Sequence, residues 1–289
     1  MKHPARTDKN IRRICLLITA VLLAALILPG FYCRLTVRQY TVEAADITAP
    51  VRLAVITDLH SCKYGENGEQ LVREIRKYAP DALLIVGDFF ADDGSNTYTE
   101  HILAALAPHY PLYYVTGNHE YWSGETAFDQ SMRILEQYGV KRLQNEAITV
   151  AINGQTFCIA GVDDPASAPL YASAAQQADL FRSNLSRALS EAPQNSFTLL
   201  LSHRPEYFDD YAQSRADLVI CGHAHGGQWR IPGILNGFFA PDQGFFPRYA
   251  GGDYHRDGTT MIVSRGLARE STRIPRFYNP PELVIIDLV

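Results

Sequence analysis

Leu218-Val219-Ile220-Cys221 is an apolar, strand-like run, and it stops abruptly in Gly222-His223-Ala224-His225. Two imidazoles on the loop after a buried strand stand where open α/β sheets build their sites, at the carboxyl ends of strands. The arrangement recurs four times upstream. Val51-Arg52-Leu53-Ala54-Val55-Ile56 leads to Asp58-Leu59-His60, and Ala82-Leu83-Leu84-Ile85-Val86 to Gly87-Asp88. Leu112-Tyr113-Tyr114-Val115 leads to Gly117-Asn118-His119-Glu120, and Phe197-Thr198-Leu199-Leu200-Leu201 to Ser202-His203-Arg204. Together the blocks bring aspartates, an asparagine and several histidines to one sheet edge. That mixture of hard oxygen and borderline imidazole donors suits two adjacent divalent metals. Each residue alone has an ordinary reading: an aspartate or asparagine after a strand is usually a turn residue, and a lone histidine a packed one. The ordinary readings fail jointly, because all of them would have to coincide at strand ends.

With 289 residues, 47% of them apolar, the chain can bury a sizeable core. Its net charge of −5 supplies no global basic field for nucleic acid. The five cysteines (Cys15, Cys33, Cys62, Cys158, Cys221) form no CxxC pair, and their odd number argues against a disulfide framework. Cys62, just after the first block, reads as a structural thiol. His3, His101, His109 and His255 lie outside the blocks and read as surface or packing residues.

The start of the chain is different. Lys2, Arg6, Lys9, Arg12 and Arg13 face a single acid, Asp8, and the stretch from Ile14 to Tyr32 then runs without a charge. About twenty apolar residues cross a bilayer, so this stretch just qualifies. The basic flank predicts a cytoplasmic N-terminus and a catalytic domain outside the cytoplasm, in a single-pass protein of the cell membrane. No small-x-small cleavage site follows Pro29, which favours an uncleaved signal anchor over a removed signal peptide. The expected organisation is a basic tail over 1–13, a transmembrane anchor over 14–32, a juxtamembrane segment with an edge strand over 33–50, and one domain over 51–289.

Helical periodicity falls between the block-bearing strands, over 68–78, 99–107, 126–138 and 174–190. Residues 147–162 read as a hairpin turning at Asn153-Gly154. Met261-Ile262-Val263-Ser264 and Leu283-Val284-Ile285-Ile286-Asp287 add two strands near the end. Strands alternating with helices, plus hairpins, predict packed sheets covered by helices.

Taken in order, DLH, GD, GNHE, SH and GHAH resemble the blocks of the calcineurin-like metallophosphoesterases, over nearly the whole chain after the anchor. Gly222-His223-Ala224-His225-Gly226-Gly227-Gln228 is similar to the membrane-associated branch of that family, the phosphodiesterases of the YkuE/YaeI type. Ser264-Arg265-Gly266-Leu267 and Pro281-Glu282-Leu283 fit the same branch. The resemblance implies an α/β (α+β) fold: a four-layer αββα sandwich of two packed mixed β-sheets flanked by helices, here preceded by one N-terminal transmembrane helix. It implies two divalent metal ions, with Mn²⁺, Fe and Zn²⁺ all compatible. Asp58, His60 and His225 would hold the first, Asn118, His203 and His223 the second, and Asp88 would bridge them about 4 Å apart. His119 would be the catalytic histidine beside Asn118, suited to protonating the leaving oxygen. Glu120 would orient His119 or support the ligands from behind, and Asp92, four residues after Asp88, would serve the loop or that same outer layer.

The implied reaction is hydrolysis of a phosphodiester or diphosphate by water activated between the metals. The aromatic segment from Gln228 to Tyr254, Trp229 included, offers contacts for an acyl chain, a sugar or the membrane surface, or loop packing. Arg265, Arg269, Arg273 and Arg276 offer charge for a second phosphate. The favoured substrate is lipid-linked or envelope-linked, for example through UDP-diacylglucosamine-pyrophosphatase-like chemistry, and nucleic acid is not expected as a partner. A metal-dependent nuclease, a broad phosphomonoesterase and a catalytically silent binding scaffold are the alternatives.

Overall fold

The computed structural model describes residues 5–269 and 274–289, so Lys2, His3 and Arg273 lie outside the described residues. Helix α1 (Ala5–Ile27) comes first. The span Lys9–Phe31 is long and apolar enough to cross a membrane, and little of it is buried against the rest of the chain.

The next half contains β1 (Thr36–Val42), β2 (Val51–Ile56), α2 (Glu69–Tyr78), β3 (Ala82–Val86), α3 (Thr97–Leu106), β4 (Leu112–Val115), α4 (Asn118–Trp122), α5 (Glu125–Gln137) and β5 (Lys141–Arg142). Then follow β6 (Glu146–Ile152), β7 (Gln155–Gly161), α6 (Ala174–Ser190), β8 (Thr198–Leu201), α7 (Phe208–Ala212) and β9 (Leu218–Cys221). The last strands are β10 (Phe239–Ala240), β11 (Gly244–Phe245), β12 (Gly252–Arg256), β13 (Thr259–Val263) and β14 (Glu282–Leu288).

Two six-stranded mixed sheets result, in the orders β1-β14-β2-β3-β4-β5 and β12-β13-β9-β8-β7-β6. The centre strands β2, β3 and β4 run parallel, as do β7, β8, β9 and β13. Their near-continuous apolar sequences follow from burial on both faces. In β2, Leu53 and Val55 pack between the sheets with Leu84, Ile159, Leu199, Leu201 and Ile220. Ala54 and Ile56 point the other way, onto Leu71 and Ile75 of α2 and Ile102 and Leu106 of α3. On the far face of the second sheet, Leu200, Val219 and Met261 meet Phe181, Leu185 and Tyr211 from α6 and α7. The four layers are therefore helix, sheet, sheet, helix.

Several expected elements fall where the periodicity put them. Helix α6 begins at a capping box in which the Ser173 hydroxyl accepts the Gln176 N–H and the Gln176 carboxamide accepts the Ser173 N–H. The β6–β7 turn uses Asn153 and Gly154, both at positive φ, as a two-residue hairpin requires. The segment over 33–50 is more than a connector, because β1 pairs in parallel with β14 along its whole length. Helix α4, starting at Asn118 itself, has no apolar stripe of its own to announce it in the sequence. Because parallel strands end on the same side, the segments after β2, β3, β4, β8 and β9 meet at one edge, and the block residues lie on these loops or, for Asn118, His119 and Glu120, on the first turn of α4.

Candidate metal centre

Asp58 and Asp88 are fully buried, and each has one carboxylate oxygen fixed and one loose. Asp58 Oδ1 accepts the His223 N–H at 2.9 Å, and Asp88 Oδ1 accepts the His119 N–H at 2.9 Å. The remaining oxygens make no hydrogen bond, and the same is true of His60 Nε2, Asn118 Oδ1, His203 Nε2 and His225 Nδ1, although Asp88 Oδ2 and His203 Nε2 face each other as an ion pair at 3.1 Å. Buried polar atoms left unpaired cost about 1–3 kcal/mol each, more when charged. Six of them from five loops converging on one place mark a site shaped for something the polypeptide does not supply.

Among the described residues, four groups of three side chains bring donor atoms within 4.8 Å of one another, and two of these groups, Asp58 with His60 and His225 and Asp88 with His203 and His223, hold five of the six residues just named. Asp88 Oδ2 lies between the groups, 3.1 Å from His203 Nε2 and 3.7 Å from His60 Nε2. His203 is oriented from behind: its Nδ1 donates to the Val86 carbonyl at 2.9 Å, which leaves Nε2 facing inward. Asp58, His60, Asp88, His223 and His225 all sit at positive φ, the left-handed region that side-chain-bearing residues rarely adopt. Such strain gathers where side chains must converge for function. Gly117 is the partner of this crowding, since a Cβ there would stand 2.1 Å from Asp88 Oδ1.

Charge agrees with geometry. Burial pulls His60 and His223 down to about 4 and holds His225 well below its ordinary value, so these imidazoles stand neutral with lone pairs available. Burial pushes Asp58 up to about 6. It also opposes charge on His203, yet the adjacent Asp88 and then Asp58 drive that imidazole up to about 10. The buried carboxylates thus draw positive charge to the point between them. Two divalent cations fit this donor set, and oxygen-rich, imidazole-bearing ligation is compatible with Mn²⁺, Fe or Zn²⁺.

Around the donors, Glu120 takes the second of the two places offered for it, Asp92 stands behind His119, and the arginines differ from expectation. Glu120 does not orient His119; its carboxylate accepts the N–H groups of Asp88, Phe89, Phe90 and Gly117, at 3.0, 2.8, 3.3 and 2.7 Å. It braces the backbone that presents Asp88. Orientation of His119 falls to Asp92, whose Oδ1 is 2.6 Å from His119 Nδ1. Arg265 is buried in an ion pair with Glu282, and Arg269 reaches the Lys63 carbonyl and stacks over Tyr64 at 4.6 Å. Arg276 is buried too, donating to the carbonyls of Ala268 and Arg265. These arginines hold the framework, whereas Trp229 is half exposed with its Nε1–H on the Pro275 carbonyl.

A network absent from the expectations lies behind His223. Arg204 is clamped on Asp164 through Nε and Nη2, and its Nη1 bonds Asp242 and lies 3.0 Å from His223 Nε2. Asp242 accepts from His223 Nε2 at 2.9 Å, the carboxylate–histidine pairing that fixes which nitrogen faces a metal. Arg204 follows a ligand directly in sequence and Asp164 follows strand β7, signals of the same kind as the five blocks. Asp242 carries no such signal.

A two-sheet sandwich with a cluster of carboxylate and imidazole donors at the carboxyl ends of its parallel strands has the architecture of a metal-dependent hydrolase. The family model for calcineurin-like phosphoesterases matches residues 51–227, and the chain belongs to that family. It is a metal-dependent phosphoester hydrolase. A metallophosphoesterase of Aquifex aeolicus is 29% identical over 261 residues, covering 88% of this chain and 92% of the relative. Phosphodiesterase YaeI of Escherichia coli is 26% identical over 249 residues, covering 84% of each. Among solved structures, TT1561 of Thermus thermophilus superposes with a TM-score of 0.50 at 12% identity, over 76% of this chain and 92% of that one.

Proposed function

We propose that the chain is a membrane-anchored phosphoesterase that uses two divalent cations to hydrolyse a phosphodiester or diphosphate bond in a lipid-linked or envelope-linked substrate. The observation that carries the reading is the convergence about Asp88 of six buried donor atoms that make no hydrogen bond. Asp58, His60 and His225 would hold one cation, Asn118, His203 and His223 the other, and Asp88 would be shared. Cations held by these residues would supply an activated water and offset the charge that builds on the phosphoryl oxygens.

The remaining work belongs to side chains. His119, with Nδ1 held by Asp92, has Nε2 left to protonate the departing oxygen. Burial opposes its charged form, but Asp92 and then Asp88 raise its pKa, which favours a proton donor. Glu120 keeps the backbone of Asp88 in place, and Asp242 with Arg204 fixes the ring of His223.

A diester or diphosphate has a substituent on each side of the reacting phosphorus, and clefts lie on both sides of the centre. One of about 540 Å³ is lined by His60, Ser61, Lys63, Asp92 and His119. The other, of about 960 Å³, is lined by Trp122, Leu170, Arg204, Tyr207 and Asp242. The apolar span Lys9–Phe31 favours a substrate at a membrane, with the N-terminus cytoplasmic and the domain outside.

The test is turnover of bis-p-nitrophenyl phosphate and p-nitrophenyl phosphate by the full chain loaded with Mn²⁺, beside Asp88→Asn and His119→Ala. Metal-dependent cleavage of the diester that both variants lose supports the reading. Two bound metals with no turnover of either ester contradict the broad activity and point to a narrower substrate. No bound metal and no turnover would favour a binding scaffold.

A further inference from the structure

Beside the metal centre, the stretch from 229 to 246 turns large apolar side chains outward. Trp229 is 45% exposed, and Phe245 and Phe246 are 66% exposed each. Scattered singly, such residues need no explanation, but contiguous ones mark an interaction surface. Here the rings touch in series. Trp229 meets Phe238 at 6.2 Å, and Phe238 meets Phe245 at 5.4 Å and Phe246 at 5.6 Å. In the other direction Trp229 meets Phe277 at 6.0 Å, and Phe277 meets Phe31 at 5.1 Å.

Phe31 is the last residue of the apolar span Lys9–Phe31, so the ridge of rings is continuous with the end of that span. The junction is fastened. Tyr278 donates its N–H to the Gly30 carbonyl and its hydroxyl to the Leu26 carbonyl, and Gly30 is buried against the Phe277 ring. The ridge is equally tied to the metal centre. Phe238 donates its N–H to the Gly227 carbonyl at 2.8 Å, and a Cβ at Gly227 would stand 2.3 Å from the Gly237 Cα, so the aromatic loop lies directly on the loop bearing His223 and His225. The turn between β10 and β11 carries Asp242, which holds His223.

We propose that the ridge of Trp229, Phe238, Phe245, Phe246 and Phe277 is a bilayer-docking surface, seated on the leaflet that the apolar span leaves and holding the mouth of the metal centre at headgroup level. The inference rests on reading the span as a membrane anchor. Trp and Phe are the side chains that settle at the membrane–water boundary. Arg34 and Arg248, exposed at the margins, suit anionic headgroups. A surface already joined to the anchor meets lipid without any search, and a lipid-linked phosphate would then reach the cations without leaving the bilayer.

The experiment uses the full chain with Trp122→Phe, which leaves Trp229 as its one indole, in nanodiscs of phosphatidylethanolamine and phosphatidylglycerol brominated at defined acyl depths. Loss of Trp229 emission is expected, greatest for bromines nearest the headgroups. Phe245→Ser combined with Phe246→Ser should reduce that loss without moving the thermal unfolding midpoint, which serves as the check on folding. Insertion into discs with Trp229 emission indifferent to bromine overturns the inference alone. Paired chains shielding Trp229 from bromine also overturn it, by making a second copy the occupant. Failure of the chain to enter discs overturns the anchor reading and the inference with it, and is recognised separately by co-purification with lipid.

Discussion

Glu120→Gln sets two opposing energies at the metal centre against each other. The carboxylate accepts four backbone N–H groups, two on each oxygen. A carboxamide keeps one oxygen and turns a donor toward the other two N–H groups. Losing two hydrogen bonds to a charged acceptor costs about 3–6 kcal/mol, at about 1.5–3 each. Against this, burial and then the neighbouring Asp88 push the Glu120 carboxyl from 4.5 up to about 7. Holding it ionised above that pH therefore costs about 3 kcal/mol, which the neutral amide avoids. In the metal-free protein the two effects largely offset each other, leaving a loss of at most about 3 kcal/mol. With cations bound, the charge of Asp88 is compensated while burial is not, so more of the hydrogen-bond loss is felt. The difference, below about 3 kcal/mol, is a fall in metal affinity of at most about a hundredfold. Urea unfolding with and without Mn²⁺, together with competition against a chromophoric chelator, measures both. Equal destabilisation in the two states with unchanged metal affinity would refute the reasoning.

The same group predicts a pH dependence: because its folded pKa lies above its unfolded one, its contribution is present below pH 4.5 and is lost as pH rises to about 7. Metal-free wild type should lose about 3 kcal/mol relative to Glu120→Gln across that window, measured by urea unfolding at its two ends. His119→Ala should retain both metals by elemental analysis and lose about 10²–10⁴ in turnover. Asp92→Asn removes the partner that raises His119, so the alkaline limb of its pH–rate profile should move to lower pH. Arg204→Gln leaves the buried carboxylate of Asp164 without its partner and should cost about 3–5 kcal/mol in thermal or urea unfolding. Asp242→Asn should weaken one of the two metals by about 10–100-fold, read as a split in stepwise chelator titration.

How much of this was written plainly in the chain depends on the distance over which a residue acts. Strand β9 and the loop holding His223 and His225 are local facts: a buried run, then a glycine and the donors. Helix α6 was legible from an apolar stripe that acts within one segment, and its Ser173–Gln176 capping box is just as local. The parallel pairing of β1 with β14 was not, since nothing in Thr36–Val42 names a partner more than two hundred residues away. Arg265 and Arg276 show the same limit. Their charge suggested a phosphate contact, but Glu282 and backbone carbonyls take the guanidinium groups. Which of Glu120 and Asp92 backs His119 stayed open in the sequence for a related reason. Adjacency to His119 favoured Glu120, yet on helix α4 neighbouring side chains diverge, and Asp92 approaches from another loop. Asp242 stands in a glycine- and aromatic-rich turn, and only the folded chain reveals its contact with His223.

The proposed chemistry turns on two cations sharing Asp88. Anomalous diffraction at the manganese edge, from crystals of the full chain grown with Mn²⁺, locates them directly. The prediction is two peaks flanking Asp88 Oδ2, one beside Asp58, His60 and His225 and the other beside Asn118, His203 and His223. A single peak, or none within this cluster in a protein that still cleaves the diester, would contradict it.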